Sequence, residues 1–330
     1  MAQPTTARNR LSIPLRIDRR VARPRSAPAG SRNGARHART ATANWGRRAA
    51  PAIASLRDVP MFAGRLDVAR DATRSIPPAM MRRSQTMLMH NFVMIESVHG
   101  KFIVNRHSQY QAEALIKTGA THIEHELQFI FAVVNTLPSG AVALDAGANI
   151  GFICVPLASW LRQKNGVVHA FEPQRMLFYA LCGSAALNDL SNLHIYNMAL
   201  GKEKKPIKVP LQNYAAPKDF GAVSLKDQKE IESHEMVDAT RIDDLGLPRL
   251  DFLKIDVEGM EIDVLSGARK TIKDHRPWCL IEYWMIDGFL LKEEFKDLNY
   301  ELYRMDHLNV LCAPVEKLLQ SRINISAPKF

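Results

Sequence analysis

The first 57 residues contain no lysine and a single acid, Asp18, against thirteen arginines. That segment alone carries +12 of a formal total of +10, which leaves 31 basic residues against 33 acidic in the remainder. The basic balance therefore describes the leading segment, and the body of the chain is close to neutral. Cysteine is also scarce. Cys154, Cys182, Cys279 and Cys312 are far apart and none belongs to a CxxC pair, so they read as small buried hydrophobes in a reducing compartment. No apolar run reaches the ~18 residues of a membrane span, and no secretory apolar region precedes a cleavage site. There is no internal repeat. These absences leave a body that reads as soluble and cytoplasmic.

The leading segment, rich in Arg, Ala, Pro and Ser, lacks the apolar periodicity needed to offset its ordering entropy, and residues 1–60 are expected to be a disordered tail. Three origins fit it: an organellar transit peptide, a basic arm for nucleic acid or anionic membrane, or upstream sequence translated before the real start. Met61, Met80 and Met81, just ahead of the patterned sequence, favour the third. Residues 61–125 are expected to form a helical and strand extension over the site, and residues 126–330 the main domain.

From about Ala141 short apolar runs alternate with helical spacing. "AVALDAGA", "GVVHAFEP", "NLHIYNMALG", "RLDFLKIDVEG" and "PWCLIEYW" read as strands. "NIGFICVPLASWLRQ", "QRMLFYALCGSAALND", "MEIDVLSGARKTIKDHR" and "FLLKEEFKDL" read as helices, and "YELYRMDHLNVLCAP" as a terminal strand or hairpin. Pro173 suits a first helical position, whereas Pro156 falls inside the first helix, where it costs about 3 kcal/mol and predicts a kink. "KPIKVPLQNY" and "FGAVSL" break the rhythm as a hairpin or irregular insertion. The pattern predicts an α/β fold, a three-layer sandwich with a mostly parallel sheet and an antiparallel terminal strand.

In an open sheet of this kind ligands bind outside the carboxyl ends of the strands at the switch point. Those ends carry Asp145, Glu172 and Asp256. The first turn, Asp145-Ala-Gly147-Ala-Asn149-Ile-Gly151, has an aspartate where a dinucleotide fingerprint has its first glycine. An anion there disfavours pyrophosphate and favours a ligand with an ammonium or sulfonium group, such as S-adenosylmethionine, whose carboxylate can take turn N–H groups. Gly147 and Gly151 permit close backbone approach. Glu172, 21 residues after Gly151, can accept both ribose hydroxyls of an adenosine and fits NAD or S-adenosylmethionine equally; it can also cap the helix that follows.

Together "VALDAGANIGF", "VHAFEP" and "LDFLKIDVEGMEIDVLSGA", in that order, resemble the FkbM-type family of S-adenosylmethionine-dependent methyltransferases over roughly Glu124 to Trp284. The resemblance implies a class I methyltransferase (Rossmann-like) sheet, S-adenosylmethionine as donor, and O-methylation of a hydroxyl on a sugar, glycan or other small molecule. It further implies that Asp145, Gly147, Asn149 and Gly151 line the methionine end of the donor and that Glu172 holds the ribose. Glu124 in "HIEHE" resembles an acid that the family places before the first strand. Ala146 and Ala148 depart from the commonest family wording.

An alcohol is a poor nucleophile at neutral pH, so methyl transfer to it needs an oriented hydroxyl and removal of its proton. Asp256, at the fourth strand end, is the candidate base or acceptor anchor, with Glu258 second. Glu261 and Asp263 read as first-turn helix acids that favour the macrodipole. "THIEHEL" fits neither HExxH nor HxxEH, and no metal ligands are assigned. Three rival readings remain: a nicotinamide dehydrogenase, a nucleic-acid methyltransferase using the basic arm, and a non-catalytic ligand-binding module. The missing first glycine counts against the first. The second lacks the Asn/Asp-Pro-Pro-aromatic segment used on exocyclic base nitrogens, since "IDVEGM" stands there. The third would show loss of Asp145 or Glu172, and both are present.

Overall fold

In chain order, β1 (Phe92–Ser97) and β2 (Gly100–Asn105) pair as an antiparallel hairpin, followed by helices α1 (Gln111–Thr118) and α2 (Glu124–Thr136). Alternation then begins with β3 (Val142–Ala146), α3 (Cys154–Arg162), β4 (Val167–Phe171), α4 (Arg175–Leu187) and β5 (Leu193–Tyr196). The insertion holds the short strands β6 (Ala199–Leu200), β7 (Ile207–Pro210), β8 (His234–Val237) and β9 (Ala239–Thr240). It is followed by β10 (Phe252–Ile255), α5 (Glu261–Ser266), α6 (Arg269–His275), β11 (Trp278–Glu282), α7 (Gly288–Phe295), β12 (Tyr300–Arg304), β13 (Asn309–Pro314) and α8 (Val315–Ser321). This computed structural model describes residues 90–226, 233–321, 323 and 325–330. The tail expected over 1–60, and the 61–89 part of the expected extension, lie outside the described residues.

Seven strands form one sheet in the order β12-β13-β11-β10-β3-β4-β5. β5, β4, β3, β10 and β11 run parallel, and the last strand, β13, inserts antiparallel between β11 and β12. All five residues of β3 are buried, as expected of a central strand covered on both faces. Its side chains alternate with the period of two that a strand imposes. Ala143 joins the apolar layer containing Leu127, Leu157 and Leu181 of α2, α3 and α4, while Val142, Leu144 and Ala146 join the layer containing Leu265, Ile272 and Leu291 of α5, α6 and α7. Helices thus cover both faces, and the three-layer sandwich read from the alternation is present. Among the described residues no helix is long and apolar enough to cross a membrane.

Two helices differ from the sequence reading. α3 starts at Cys154, about a turn later than the apolar spacing suggested, so Pro156 sits in the first turn, where its missing N–H removes no intrahelical bond and no kink is needed. The segment read as one helix after β10 is two, parted at Gly267. A Cβ there would lie 2.0 Å from the Gly201 carbonyl oxygen, so the insertion backbone presses directly on the break. Pro173 is also displaced from its expected place: it precedes Gln174, the N-cap of α4, rather than opening the helix. In the insertion β7, from "KPIKVPLQNY", pairs antiparallel with β8, which lies beyond "FGAVSL", and "FGAVSL" itself is irregular.

Candidate active site

The register brings four strand ends to one edge. Ala146 pairs with Phe171 on one side and Ile255 on the other, and Ile255 pairs with Ile281. The order reverses between β3 and β10, and a cavity of about 1730 Å³ opens there. A pocket for one small ligand measures roughly 300–1,000 Å³, so this one has room for a nucleoside and a second molecule. Asp145, Glu172, Asp256 and Glu282 enter it from the strand ends, His122 and Glu126 from the start of α2, and Asp219 to Leu225 from the insertion.

Asp145 is 2% exposed, and its Oδ2 has no hydrogen-bond partner among the described residues. Burial pushes its carboxyl up to about 7; Lys254 opposes the rise, and Asp256 and Glu126 add to it. A buried carboxylate left unpaired is costly, and a cationic ligand group in the cavity would relieve that cost. Glu172, at the end of β4, is also buried, and burial likewise pushes it up to about 7. Its Oε2 accepts from the Asn149 N–H at 2.8 Å and its Oε1 from the Gln174 N–H at 2.7 Å. It therefore braces the turn and caps α4 while still facing the cavity.

Gly147 has φ +83°, and a Cβ there would stand 1.7 Å from the Asp256 carbonyl oxygen. Any side chain would drive β3 and β10 apart at the switch point. The turn is otherwise self-satisfied. The Gly147 and Ala148 N–H groups donate to the Phe171 carbonyl, Ile150 donates to Asn149 Oδ1, and Gly151 donates to the Ala148 carbonyl. With the Asn149 N–H on Glu172, no N–H from 147 to 151 is free for a ligand carboxylate, contrary to the expectation from the sequence.

Six of the eight candidate residues, Asp145, Gly147, Asn149, Glu172, Asp256 and Glu258, line the cavity. Gly151 and Glu124 do not. Gly151 lies beneath the turn, where a Cβ would meet Leu181 Cδ1 at 2.5 Å, so its small size serves packing. Glu124 accepts from the Thr121 N–H and hydroxyl, and both its oxygens lie 2.9 Å from His99 Nε2. Two residues on, about 200° around the helix, Glu126 faces the cavity instead. Glu261 accepts from the Val257 and Gly259 N–H groups and so holds the loop, while Asp263 pairs with Lys202 at the surface, both in keeping with structural roles.

On the far side of the switch point Asp256, Glu258 and Glu282 converge, with carboxylate oxygens within 4.8 Å of one another. Burial first and the Asp256 charge second push Glu258 up to about 8 and Glu282 up to about 9. Their countercharge is internal. Lys254, fully buried in β10, donates to Asp256 Oδ2 at 3.2 Å and lies 3.4 Å from Glu126 Oε1. Burial works against its charge, yet the surrounding carboxylates outweigh burial and hold its pKa above the usual lysine value. The cluster thus combines a buried ammonium with two carboxyls inclined to keep their protons. Replacing Lys254 with methionine leaves Glu126 and Asp256 without their shared cation and is expected to cost about 3–5 kcal/mol of stability in denaturant melts. The Lys254→Met, Glu126→Gln double variant should recover part of that loss.

Lys254 and Glu282 escaped the sequence reading, although a lysine inside the buried run "DFLKI" and an acid inside "CLIEYW" are both visible anomalies. Tyr283 and Trp284, which follow Glu282 at the end of β11, also line the cavity.

Residues 145–308 match the family model described as the methyltransferase FkbM domain. Over these residues, just under half of the chain, the resemblance to the FkbM methyltransferase family read from the sequence is borne out. Two curated relatives are similar to it: "Methyltransferase 1" of Beauveria bassiana (strain ARSEF 2860), 27% identical over 47% of this chain and 67% of that protein, and "Methyltransferase sdnD" of Sordaria araneosa, 26% identical over 49% and 74%. A crystal structure of methyltransferase FkbM from Methylobacillus flagellatus KT is 20% identical over 53% of this chain and 44% of that one, with a TM-score of 0.39. This chain thus spans less than half of that solved protein. The FkbM domain is a methyltransferase domain, and its cofactor is S-adenosylmethionine. The residues at the switch point fit that compound: Asp145 offers the buried, partnerless Oδ2 of its carboxylate to a cationic group, and Glu172 retains acceptor capacity for hydroxyls.

Proposed function

We propose that the chain transfers the methyl group of S-adenosylmethionine to a hydroxyl oxygen of a sugar, glycan or other small molecule. The supporting observation is the division of one cavity between Asp145 and Glu172 on one side of the switch point and the Asp256 cluster on the other. When bound, the donor supplies an electrophilic methyl on a sulfonium. Asp145 Oδ2 receives the donor's ammonium, and Glu172, fixed by two backbone N–H groups, accepts from the ribose hydroxyls. Asp256, held by Lys254, orients the acceptor hydroxyl and takes its proton as the new O–C bond forms.

Incubating the full chain with methyl-labelled donor and a small-molecule extract of its own host, then identifying the labelled product, tests this reading. A label in an ether, stable to mild base, is the expected result. A label confined to nitrogen, carbon or nucleic acid would replace the acceptor assignment.

A further inference from the structure

The Asp256, Glu258 and Glu282 carboxyls share one edge of the cavity with the unpaired, buried Oδ2 of Asp145, across the single gap between β3 and β10. The ammonium received by Asp145 is common to donor and product, so the charge that distinguishes the donor is its sulfonium, which enters the same cavity as this cluster. We propose that the sulfonium charge of the bound donor expels a proton from Glu258 or Glu282, so that the cluster these two form with Asp256 has room for the hydroxyl proton that Asp256 later takes from the acceptor. The inference rests on the donor site argued above and adds a regulation of its chemistry.

The groups facing the cluster are few enough to name. Lys254 stands beneath it on β10, Asp145 at the end of β3, and Glu126 at the start of α2. Asp219 from the insertion and Glu261 at the head of α5 act on Glu258, and Asp256 and Glu258 act on Glu282. Asp219 and Asp256 also bear on His122, which burial holds below the usual histidine range. Of the groups that act on the cluster most strongly Lys254 alone is cationic, with Arg304 elsewhere on the cavity wall, so removing a proton is unfavourable until a further cation arrives. Glu258 and Glu282, raised to about 8 and about 9, are mostly protonated at neutral pH. A unit positive charge brought within about 5 Å, at an effective dielectric near 20, lowers a carboxyl's proton affinity roughly a hundredfold, which is enough to ionise one of them.

The charge balance of the reaction closes around this exchange. The hydroxyl oxygen gains the methyl, the S–C bond breaks with its electron pair left on sulfur, and the hydroxyl proton passes to the carboxylate. The cavity then holds a neutral thioether, S-adenosylhomocysteine, and the cluster is protonated again. The site thus returns to its starting charge in the same step that consumes the cation.

Isothermal titration of the full chain at pH 7.5, in phosphate and in Tris, separates proton release from intrinsic heat because the two buffers differ in ionisation enthalpy. S-adenosylmethionine is expected to release about one proton on binding, and S-adenosylhomocysteine a small fraction of that. An analogue with an ammonium in place of the sulfonium should behave like the donor. Glu282→Gln should cut the donor's proton release by about half, with Glu258→Gln as a second variant if the first does not fold. Equal release by donor and product, or none by either, would overturn the inference while leaving the donor site intact. Failure of both compounds to bind would overturn the donor site and the inference with it.

Discussion

Replacing Asp145 with asparagine is expected to weaken binding of S-adenosylmethionine about a hundredfold, measured by isothermal titration. Among the strand-end carboxylates of the described residues, Asp145 is the one with a buried oxygen, Oδ2, that lacks a protein partner, so the contact of that oxygen with a ligand cation is not shared with the fold. A hydrogen bond to a charged group in a dry site is worth about 1.5–3 kcal/mol, which corresponds to roughly ten- to hundredfold in affinity. Loss of the ionic attraction places the effect at the upper end.

The same substitution should raise stability. Burial pushes the Asp145 carboxyl up to about 7 in the fold, from 3.8 for an ordinary aspartate, so the folded chain holds this proton more tightly than the unfolded one. The group then favours the fold most below about pH 4, favours it less from there to pH 7, and above pH 7 opposes it by up to about 4 kcal/mol relative to acid. Asp145→Asn should therefore melt at a higher temperature than the parent at pH 8 and close to it near pH 4. A variant that lost donor affinity and was also destabilised at pH 8 would indicate that the carboxylate supports the fold instead.

Asp256→Asn carries the other large effect. Turnover into the labelled ether should fall about 10²- to 10⁴-fold, the usual contribution of a positioned general base, while donor affinity changes only a few-fold. Asparagine keeps the shape at the end of β10 and can still meet Lys254 through its carbonyl oxygen, so orientation survives better than proton transfer. Glu258 and Glu282 lie close enough to compete for the role. If Asp256→Asn left turnover within about threefold of the parent and Glu282→Gln abolished it, the base would be Glu282.

The sequence revealed the sheet because its central parallel strands, β3, β10 and β11, are almost wholly buried and read as largely apolar runs, closed by a polar residue where the chain leaves the core. That rule picked out Asp145, Glu172 and Asp256 directly. It missed Glu282 because Tyr283 and Trp284 continue the apolar run beyond it, and it missed Lys254 because the lysine belongs to a strand interior. The choice of Glu124 over Glu126 was a question of helical phase, and both lie in the first turn of α2, where local spacing gives little guidance. Likewise the turn after β3 shows its glycines in the sequence, but not that its N–H groups are already bonded to Phe171, Glu172, Asn149 and Ala148. Those partners come from β4 and from the turn's own fold, which no local pattern encodes.

A crystal structure of the chain with S-adenosylhomocysteine is the most direct measurement. The ribose hydroxyls should lie within hydrogen-bond distance of the Glu172 carboxylate and the amino nitrogen within reach of Asp145 Oδ2, leaving the Asp256 side of the cavity open. An ordered ligand bound elsewhere, touching neither acid, would contradict the assignment.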